Sequence, residues 1–237
     1  MAKTFLKAEW RKIIMINYII DSKILLPYLP YKTELDLWNG SCYVSLVGFM
    51  FLNTRIKGIK IPFHTNFEEV NLRFYVRYKY REDWKRGVVF IKEIVPKPAL
   101  TIIANLIYNE HYETLPMAHT WKTTLDALFC EYSWKKQNAW NSIHVKTGTE
   151  QKEIKSGSEE EFITEHFWGF TKINEHLTSE YGVEHPRWNV YDTLDYSIHV
   201  DFGCTYGKDF KFLGDENPAS IFLAEGSEIE VKEGRKI

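Results

Sequence analysis

"HTNFEEVNLRFYVRY", residues 64–78, alternates apolar and polar side chains without interruption from Val70 onward. A period of two predicts a β-strand, because successive side chains of a strand point to opposite faces. The apolar face carries Val70, Leu72, Phe74, Val76 and Tyr78. The polar face carries Glu69, Asn71, Arg73, Tyr75 and Arg77. The apolar face belongs in a core, so the question is what the polar face contacts.

The polar face of this strand is the strongest functional signal in the sequence. Glu69, Asn71 and Arg73 present an acceptor, an amide and a cation in succession, and an arginine fork suits a carboxylate or a phosphate. Glu69 and Arg73 would lie about 13 Å apart along the strand, too far to pair directly. Either these side chains line a pocket, or they form a solvated face whose charges pair with neighbouring strands.

The composition is that of an ordinary globular protein and limits its partners. The chain has 237 residues, of which 44% are hydrophobic, 26% charged and 16% aromatic. A chain of this length buries a core without disulfide or metal staples. Lys and Arg total 30 against 32 for Asp and Glu, so there is no basic excess to hold phosphates. We therefore expect no nucleic-acid partner.

The N-terminal region contains basic residues followed by the apolar run Ile13–Ile20, which we interpret as a strand. The run contains Asn17, is too short to span a bilayer and is not followed by a small-residue cleavage site. We therefore expect neither a signal peptide nor a membrane partner. Cys42, Cys130 and Cys204 form no CxxC pair and predict reduced thiols. These features favour a cytoplasmic protein.

The segment pattern predicts a mainly β protein, a β-rich α+β fold, with about ten strands and two or three short helices. No interval resembles a linker, so we assign residues 1–237 to a single domain. Asp21 is placed to cap a short helix, residues 99–112 predict a buried helix, and Ser158 with Glu161 forms a capping box for a third.

Turn and loop signals add four local predictions. Residues 33–51 are predicted to form a hairpin around Asn39-Gly40. Residues 119–145 predict two strands that turn around residues 135–138. The polar run at 146–161 predicts an exposed loop, because it contains few hydrophobic residues. Residues 218–234 are predicted to close the fold as a hairpin.

Familiar catalytic and cofactor motifs are absent, and we expect no cofactor. The sequence has no GxGxxG, GxxxxGK[ST], HExxH or GxSxG segment. Its eight histidines include no pair spaced for a metal on one strand or one helix, so we expect no metal site. A cysteine nucleophile is not favoured, because the cysteines lie among apolar and aromatic residues, as buried thiols do.

A second notable segment is "EHPRWNVY", residues 184–191. Pro186 favours an extended conformation for the preceding residue, after which a strand begins with a cation and an indole. Trp188 would supply a wall for a pocket, or it anchors a turn set by the proline. Tyr75 is a second candidate wall. The candidate ligand-binding residues are therefore Glu69, Asn71, Arg73, Tyr75 and Trp188.

Five segments occur in order along nearly the whole chain: "AEWRKIIMINYIID…LLPYLP", "FEEVNLRFYV", "LPMAHT", "FITEHF…HPRW" and "GDENPASIFLAEGSEIEV". The second resembles the F-x-E-x-N-x-R-x-Y-V segment of the YqjF-like family, a bacterial family of unknown function. The others are similar to its W-R…N…L-P, L-P-Y, F-L-x-E-R-Y…H-P-P-W and P-x-S-V-x-L-A-x-G-S segments. Each match alone is loose, whereas five in one order are fairly specific.

That family is grouped with the acetoacetate decarboxylase-like fold, a closed antiparallel β-barrel with a central cavity. The resemblance therefore implies such a barrel with short peripheral helices, and a polar face of the opening strand that points to the cavity or its rim. It does not carry over the decarboxylase reaction, which uses a Schiff-base lysine in a G-x-P-K-K segment. Met117 and Ala118 stand at the corresponding place, and Lys122 is the nearest amine.

Three functions remain open from the sequence, which does not decide whether the protein is an enzyme. The first is a pocket for a small anionic organic molecule, in which Arg73 holds the acid, Asn71 hydrogen-bonds it, and Glu69 orients the arginine or acts as a base. The second is a Lys-dependent, decarboxylase-like enzyme. The third is a non-catalytic structural or interaction protein with a filled interior. A homo-oligomer is compatible with exposed sheet edges, but nothing specifies one.

Overall fold

The fold consists mainly of long strands, as the alternating segments predict. The structure, a computed structural model, describes residues 3–107 and 109–237. The described strands are β1 (Thr4–Ile20), β2 (Thr33–Leu35), β3 (Cys42–Ile56), β4 (Phe67–Tyr80), β5 (Asp83–Val95), β6 (Tyr112–Thr114), β7 (Met117–Thr123), β8 (Leu128–Lys136), β9 (Ala139–Glu153), β10 (Trp168–Asn174), β11 (Leu177–Glu184), β12 (Asn189–His199), β13 (Ser220–Lys232) and β14 (Arg235–Lys236). The helices are α1 (Ser22–Leu25), α2 (Pro98–Ile107), α3 (Glu159–Thr164) and α4 (Phe202–Tyr206), with 3-10 turns at Leu26–Tyr28 and Lys208–Gly214.

The described strands form one sheet that consists of a ring and a branch. Hydrogen-bonded neighbours run in the order β11-β10-β5-β4-β3-β1-β13, and β13 also pairs with β11, so these seven described strands form the ring. From β13 the sheet continues through β12, β9 and β8 to β7, which is the branch. The described pairings are antiparallel, as expected, except at β5, which pairs in parallel with β6 and β10. Both partners follow a helix, and such crossovers allow parallel neighbours.

The two faces of β4 belong to different compartments. Val70, Leu72 and Phe74 pack into the larger core, together with Tyr132 and Trp134 of the branch. The other face of β4 lines the inside of the ring from Phe67 to Arg73. Burying the apolar face against the branch is what keeps the polar face directed inward, because a strand presents alternate residues to opposite sides.

Two predicted turns are confirmed, although the strands that flank one of them pair with β4 and not with each other. Asn39 and Gly40 both have positive φ and form a tight turn closed by a Trp38–Ser41 bridge. The strands of the predicted hairpin do not pair with each other, however. β2 pairs with the end of β4 beyond the segment that β3 occupies. The turn at residues 136–139 joins β8 to β9.

Three predictions of irregular or hairpin structure are wrong. The predicted loop at 146–161 continues β9 as far as Glu153, because residues 147–153 pair with β12. Residues 119–145 form three strands instead of two, because a further turn links Thr124 to Ala127. The predicted closing hairpin is one strand, β13, which pairs with β1 on both sides of Gly226. Gly226 has φ +81°, and the register between β1 and β13 is the same on both sides of it, so the chain does not reverse there.

The helix signals are largely confirmed. Asp21 accepts a hydrogen bond from the Lys23 amide and caps α1, and Ser158 caps α3 through the Glu161 amide. The helix predicted over residues 99–112 forms as α2 but ends at Ile107, and Tyr112 begins the strand β6. The helix is also not fully buried, because it exposes Ile102 and Leu106. In the described part of the chain, no helix combines the length and the apolar character needed to cross a bilayer.

Candidate functional site

The ring encloses a cavity of about 130 Å³. All seven ring strands contribute side chains to its wall, and α2 contributes Leu100, Ile103 and Ala104. Most of the wall is apolar, which is typical of small-molecule sites. The polar exceptions in the described wall are three glutamates, an asparagine, an arginine, two histidines and a few hydroxyl side chains. These polar groups form the candidate functional site.

The polar face of β4 lies in this wall. Glu69, Asn71 and Arg73 all line the cavity, and only 3% of Glu69 and 1% of Asn71 is exposed. The side chains of Glu69 and Asn71 are therefore removed from bulk water. Alternation along β4 places them here while Val70 and Leu72 face the larger core.

The two aromatic residues predicted to line a pocket, Trp188 and Tyr75, differ in their relation to the cavity. Trp188 is buried, lines the cavity and stacks on His185 with ring centroids 4.2 Å apart. Tyr75 is not part of the described cavity wall. Its ring centroid is 4.8 Å from that of His166, and its hydroxyl is 2.6 Å from Ser45 Oγ. Tyr75 therefore contacts His166, which lines the cavity, and its hydroxyl is bonded to Ser45.

Glu69 belongs to a cluster of three buried carboxyl groups. Glu93 lies on β5 opposite Asn71, and Glu110 follows α2. Only 2% of Glu93 and 6% of Glu110 is exposed. The Asn71 amide donates to Glu69 Oε1 at 2.9 Å, and the Tyr112 hydroxyl donates to Glu69 Oε2 at 3.2 Å. Strands β4, β5 and β6 thus bring the cluster together.

Burial makes these carboxyl groups weak acids. Removal from water raises the pKa of Glu69 to about 7, although its hydrogen bonds and the charge of Arg73 oppose the shift. Burial also raises the pKa of Glu110 to about 7. Burial, together with repulsion from the other two glutamates, raises the pKa of Glu93 well above its usual range. The cluster therefore exchanges protons near neutral pH.

Several acceptor atoms of this cluster lack a donor within the described chain. They are Asn71 Oδ1, Glu93 Oε2 and both carboxylate oxygens of Glu110. The hydroxyl groups of Thr171 and Tyr181 lie near enough to Glu110 to lower its pKa, but no hydrogen bond of standard geometry reaches the Glu110 oxygens from a described residue. A buried acceptor without a donor is unfavourable, so the cluster can accept donors supplied from the cavity.

Arg73 is a cation of the cavity wall without a carboxylate partner among the described residues. Its Cζ lies 5.9 Å from the centroid of the Tyr75 ring, and its buried Nε has no hydrogen-bond partner there. Arg77, on the same strand, instead forms an ion pair with Glu34 outside the ring. An arginine with an unused fork in a largely apolar cavity is suited to a planar anion.

His166 also lines the cavity and is oriented by Asp36. Its Nε2 lies 3.0 Å from Asp36 Oδ2, which also accepts from Arg86 Nε at 2.6 Å. Burial lowers the pKa of His166 to about 4, so the imidazole is neutral at pH 7 and Nε2 donates to the carboxylate. His166 Nδ1 is left as an acceptor with no partner among the described residues. Such a group is an oriented hydrogen-bond acceptor beside the cavity.

Glu93 is a site residue that the sequence analysis missed because of a bulge. Counting back from the β4–β5 turn places Glu93 opposite Val70, on the apolar face. An extra residue, Ile91, shifts the register of β5 and brings Glu93 opposite Asn71. A glutamate assigned to an apolar face is the signal that could have revealed the bulge.

Glu110, Tyr112 and His166 were also missed, for a different reason. Glu110 follows α2, Tyr112 begins the short strand β6, and His166 follows α3. Their side chains reach the cavity through the arrangement of the whole ring. No periodicity of the local sequence predicts that arrangement.

The lysine of the Schiff-base hypothesis lies elsewhere. Lys122 is exposed on β7, in the branch of the sheet. The described cavity wall contains no lysine. Met117, on the same strand, packs against the larger core. Lys122 is therefore not placed to form a Schiff base with a molecule in this cavity.

Residues 7–228 match the DUF2071 family of uncharacterized conserved proteins, which is most of the chain. The chain belongs to the DUF2071 family. A curated relative is the uncharacterized protein YqjF of Bacillus subtilis, which is 35% identical over 86 residues. That match covers 36% of this DUF2071 chain and 34% of YqjF, so it spans about a third of the relative's length. The resemblance to YqjF-like proteins is confirmed.

Solved structures of the acetoacetate decarboxylase-like group share the fold of this DUF2071 protein. An acetoacetate decarboxylase from Legionella pneumophila has a TM-score of 0.66 at 12% identity, with 98% of this chain and 87% of that one covered. An acetoacetate decarboxylase-like enzyme from Sphingomonas wittichii has a TM-score of 0.68 at 8% identity, covering 99% and 93%. MppR, an enduracididine biosynthesis enzyme complexed with pyruvate, has a TM-score of 0.65 at 11% identity, covering 100% and 91%. At these identities the likeness establishes the fold alone.

Proposed function

We propose that the cavity binds a small organic carboxylate and that Arg73 holds its carboxylate group. The proposal rests on one observation. Arg73 lines the cavity and has no ion-pair partner among the described residues. A partly buried guanidinium is unfavourable unless an anion or hydrogen-bond acceptors satisfy it. The paired N–H groups of arginine match the two oxygens of a carboxylate.

The cavity volume supports a small ligand. A volume of about 130 Å³ is well above the roughly 10–15 Å³ that one water requires. It is below the roughly 300–1,000 Å³ of sites for drug-sized molecules. A molecule of a few carbon atoms fits this range. A completely filled interior, as in a purely structural protein, is disfavoured by the same volume.

The remaining candidate residues take supporting roles in this proposal. Trp188 forms an apolar wall, and Tyr75 supports His166 from outside the wall. Asn71 offers its carbonyl oxygen, which has no partner among the described residues, while its amide group donates a hydrogen bond to Glu69. Glu69, with a pKa of about 7, is suited to exchange a proton with the bound molecule.

Equilibrium binding of small carboxylates tests the proposal. We expect at least one of acetate, propanoate, butanoate and pentanoate to bind the wild-type protein in calorimetry and to raise its melting temperature. Arg73→Gln is expected to weaken that binding at least about tenfold. Arg77→Gln is the matched control, because Arg77 lies on the same strand but pairs with Glu34 outside the ring. Unchanged binding by Arg73→Gln, or no binding of any acid, contradicts the proposal.

A Lys-dependent, decarboxylase-like reaction is the alternative that the names of the structural neighbours suggest. It is less well supported, because no lysine lines the described cavity wall. Borohydride treatment in the presence of a small 2-oxo acid distinguishes the two. We expect no lysine adduct in the mass spectrum, and an adduct on any lysine would favour the alternative.

The proposal extends to the architecture, the location and the partners of the protein. We infer a closed β-barrel around the ligand, which the β11–β13 pairing supports. The cysteines of the described chain are free thiols, which supports a cytoplasmic location. The balance of charge favours a small-molecule partner over nucleic acid. Self-association is compatible with exposed side chains such as Phe63 and Leu125.

A further inference from the structure

The acidic cluster of the cavity indicates what the ligand carries besides its carboxylate. We propose that the ligand is dipolar, a small carboxylic acid with an ammonium group, and that the ammonium lies among Asn71, Glu93 and Glu110. This inference rests on the proposed function, because it assumes that Arg73 holds the carboxylate. It adds the chemical class of the ligand.

The unsatisfied atoms of Asn71, Glu93 and Glu110 are oxygens, and all of them are acceptors when the carboxyl groups are ionised. Asn71 Oδ1, Glu93 Oε2 and both Glu110 oxygens have no hydrogen-bond partner in the described chain. Asn71 is not an acid, yet it lies in the wall with 1% exposure and its oxygen unused, so it points to a donor independently of the glutamates. An ammonium supplies three N–H donors, whereas a hydroxyl supplies one and a second carboxylate supplies none.

Other occupants account for the cluster less well. Protons shared between Glu93 and Glu110 satisfy carboxyl oxygens but leave Asn71 Oδ1 without a donor. The described residues contain no group of three His, Cys, Asp or Glu side chains arranged to hold a metal ion. An ammonium satisfies the amide oxygen and balances the carboxylate charge together.

The groups that face the cluster determine how its charge responds to a ligand. Besides each other, the three glutamates face the following groups: Arg73 and Asn71 on β4, Tyr112 on β6, Thr171 on β10 and Tyr181 on β11. Arg73 is the cation among these described groups. When the glutamates ionise, the cluster is therefore net negative. Ionisation then attracts an ammonium and repels a ligand that is only an anion.

The spacing of the site fits a ligand with its charges at separate ends. Asn71, at the proposed ammonium position, and Arg73, at the carboxylate position, are two residues apart on β4, about 7 Å between Cα atoms. The charge of Arg73 also lowers the pKa of Glu69, to which Asn71 donates a hydrogen bond. An amino acid whose amine is separated from the carboxylate by a short carbon chain spans such a site.

Chain-matched ligands test the inference in calorimetry. The probes are β-alanine, 4-aminobutanoate and 5-aminopentanoate, each compared with propanoate, butanoate or pentanoate. Above the pH at which the cluster ionises, we expect an amino acid to bind at least about tenfold more tightly than its matched acid. As pH rises through about 7, the affinity for the amino acid should increase and that for the plain acid should decrease.

Variants test whether the preference for amino acids depends on the buried glutamates. Glu110→Gln, or Glu93→Gln if the first variant does not fold, should remove most of the preference for the amino acid. Glu82→Gln should retain it, because Glu82 is exposed in the β4–β5 turn. If the first two variants both fail to fold, the opposite pH slopes of the two ligand series in the wild-type protein still decide the question.

The outcomes separate this inference from the proposed function. If plain acids bind as tightly as amino acids and Arg73→Gln abolishes binding, the dipolar ligand is overturned and the carboxylate site stands. If neither series binds, or if Arg73→Gln binds like the wild type, both proposals are overturned. A preference for amino acids that Glu110→Gln leaves intact also overturns the placement of the ammonium.

Discussion

Asp36 shows how one buried carboxylate sets the state of the residues around it. It accepts hydrogen bonds from both Arg86 and His166. Burial alone would raise its pKa, but the bonds from His166 and Arg86 outweigh burial and hold the pKa of Asp36 below its usual range. The ionised carboxylate then fixes the His166 tautomer, so Nδ1 of the ring remains an acceptor without a partner among the described residues.

Removing this carboxylate charge should destabilise the protein. We expect Asp36→Asn to lower the free energy of unfolding by about 2–4 kcal/mol, because it weakens a partly buried ion pair and a buried hydrogen bond. Glu34→Gln is the control, two residues away, since the Glu34–Arg77 pair is largely exposed; it should cost less than about 1 kcal/mol. Urea unfolding followed by fluorescence measures both, and equal losses would contradict the role given to Asp36.

The buried glutamates should make stability fall as pH rises. Glu69 and Glu110 have folded-state pKa values of about 7, above the 4.5 of an ordinary glutamate, so the folded protein binds these protons more tightly than the unfolded chain. That contribution is complete below pH 4.5 and is lost as pH rises through about 7. We expect a loss on the order of a few kcal/mol across this window.

Urea unfolding at a series of pH values tests this dependence. Glu110→Gln should show a shallower fall, because glutamine does not ionise. Glu82→Gln should keep the full slope, since Glu82 is exposed in a turn. A wild-type stability that is flat or rises through pH 7 would show that the cluster is not buried in its ionisable form.

At this scale the sequence predicts only part of the site. Alternation along β4 is sufficient to place Glu69, Asn71 and Arg73 on one face, because a strand has a fixed period. It does not identify Glu93, whose face depends on a bulge, or His166, whose position depends on packing after α3. Periodicity predicts neighbours along one strand, whereas this site is built from several strands and two loops.

Among the elements, β13 depends on a glycine at position 226, where it passes close to β1. An added Cβ there would lie 2.0 Å from the carbonyl oxygen of Trp10 on β1, and φ is +81°. Both the close approach and the backbone conformation therefore require glycine. With glycine there, β13 keeps one register with β1 on both sides of Gly226, and β13 also pairs with β11 and β12. Gly226 thus holds together the point where ring and branch meet.

Substitution of Gly226 should be costly. We expect Gly226→Ala to lower the free energy of unfolding by about 2–4 kcal/mol, through strain and the clash with the β1 backbone. Gly148→Ala on β9 should change it by less than about 1 kcal/mol, because nothing lies within 4 Å of the added Cβ and its φ is not positive. Thermal and urea unfolding of both variants provide the comparison. Similar stabilities would contradict the requirement for glycine at position 226.

The element predictions succeed and fail for identifiable reasons. β1 and β4 are apparent from local patterning, and Asp21 and Ser158 mark helix starts because their side chains cap backbone amides. The late part of β9 is not apparent, because its side chains are exposed and only pairing with β12 makes it a strand. Segments that depend on a distant partner carry little local signal.

In the molecule as a whole, the three cysteines differ in how deeply they are buried. Cys42 and Cys130 lie in the larger core between ring and branch, whereas Cys204 on α4 is partly exposed. Burial raises the pKa of Cys130 to about 12 and that of Cys42 above its usual value. The two core thiols are therefore protected by both burial and protonation.

Thiol labelling should distinguish the partly exposed Cys204 from the two buried thiols. With an aromatic disulfide reagent, we expect Cys204 to react quickly in the native protein, and the two core thiols to react only as the structure opens globally. Absorbance of the released thiolate measures the phases. Cys204→Ser should remove the fast phase, and the slow phase should accelerate with added urea. Fast reaction of all three thiols would mean that the branch detaches easily from the ring.

The alternation of β4 also bears on how such proteins diverge. Odd-numbered positions such as Glu69, Asn71 and Arg73 determine the chemistry of the cavity, while Val70 and Leu72 determine the packing of the core. Mutations can therefore exchange the lining of the interior without disturbing what holds the strands in place. Along this one strand, changes in the residues that line the cavity are thus independent of changes in the residues that pack the core. Sequence identities of 8–12% among proteins that share this architecture are what such independence allows.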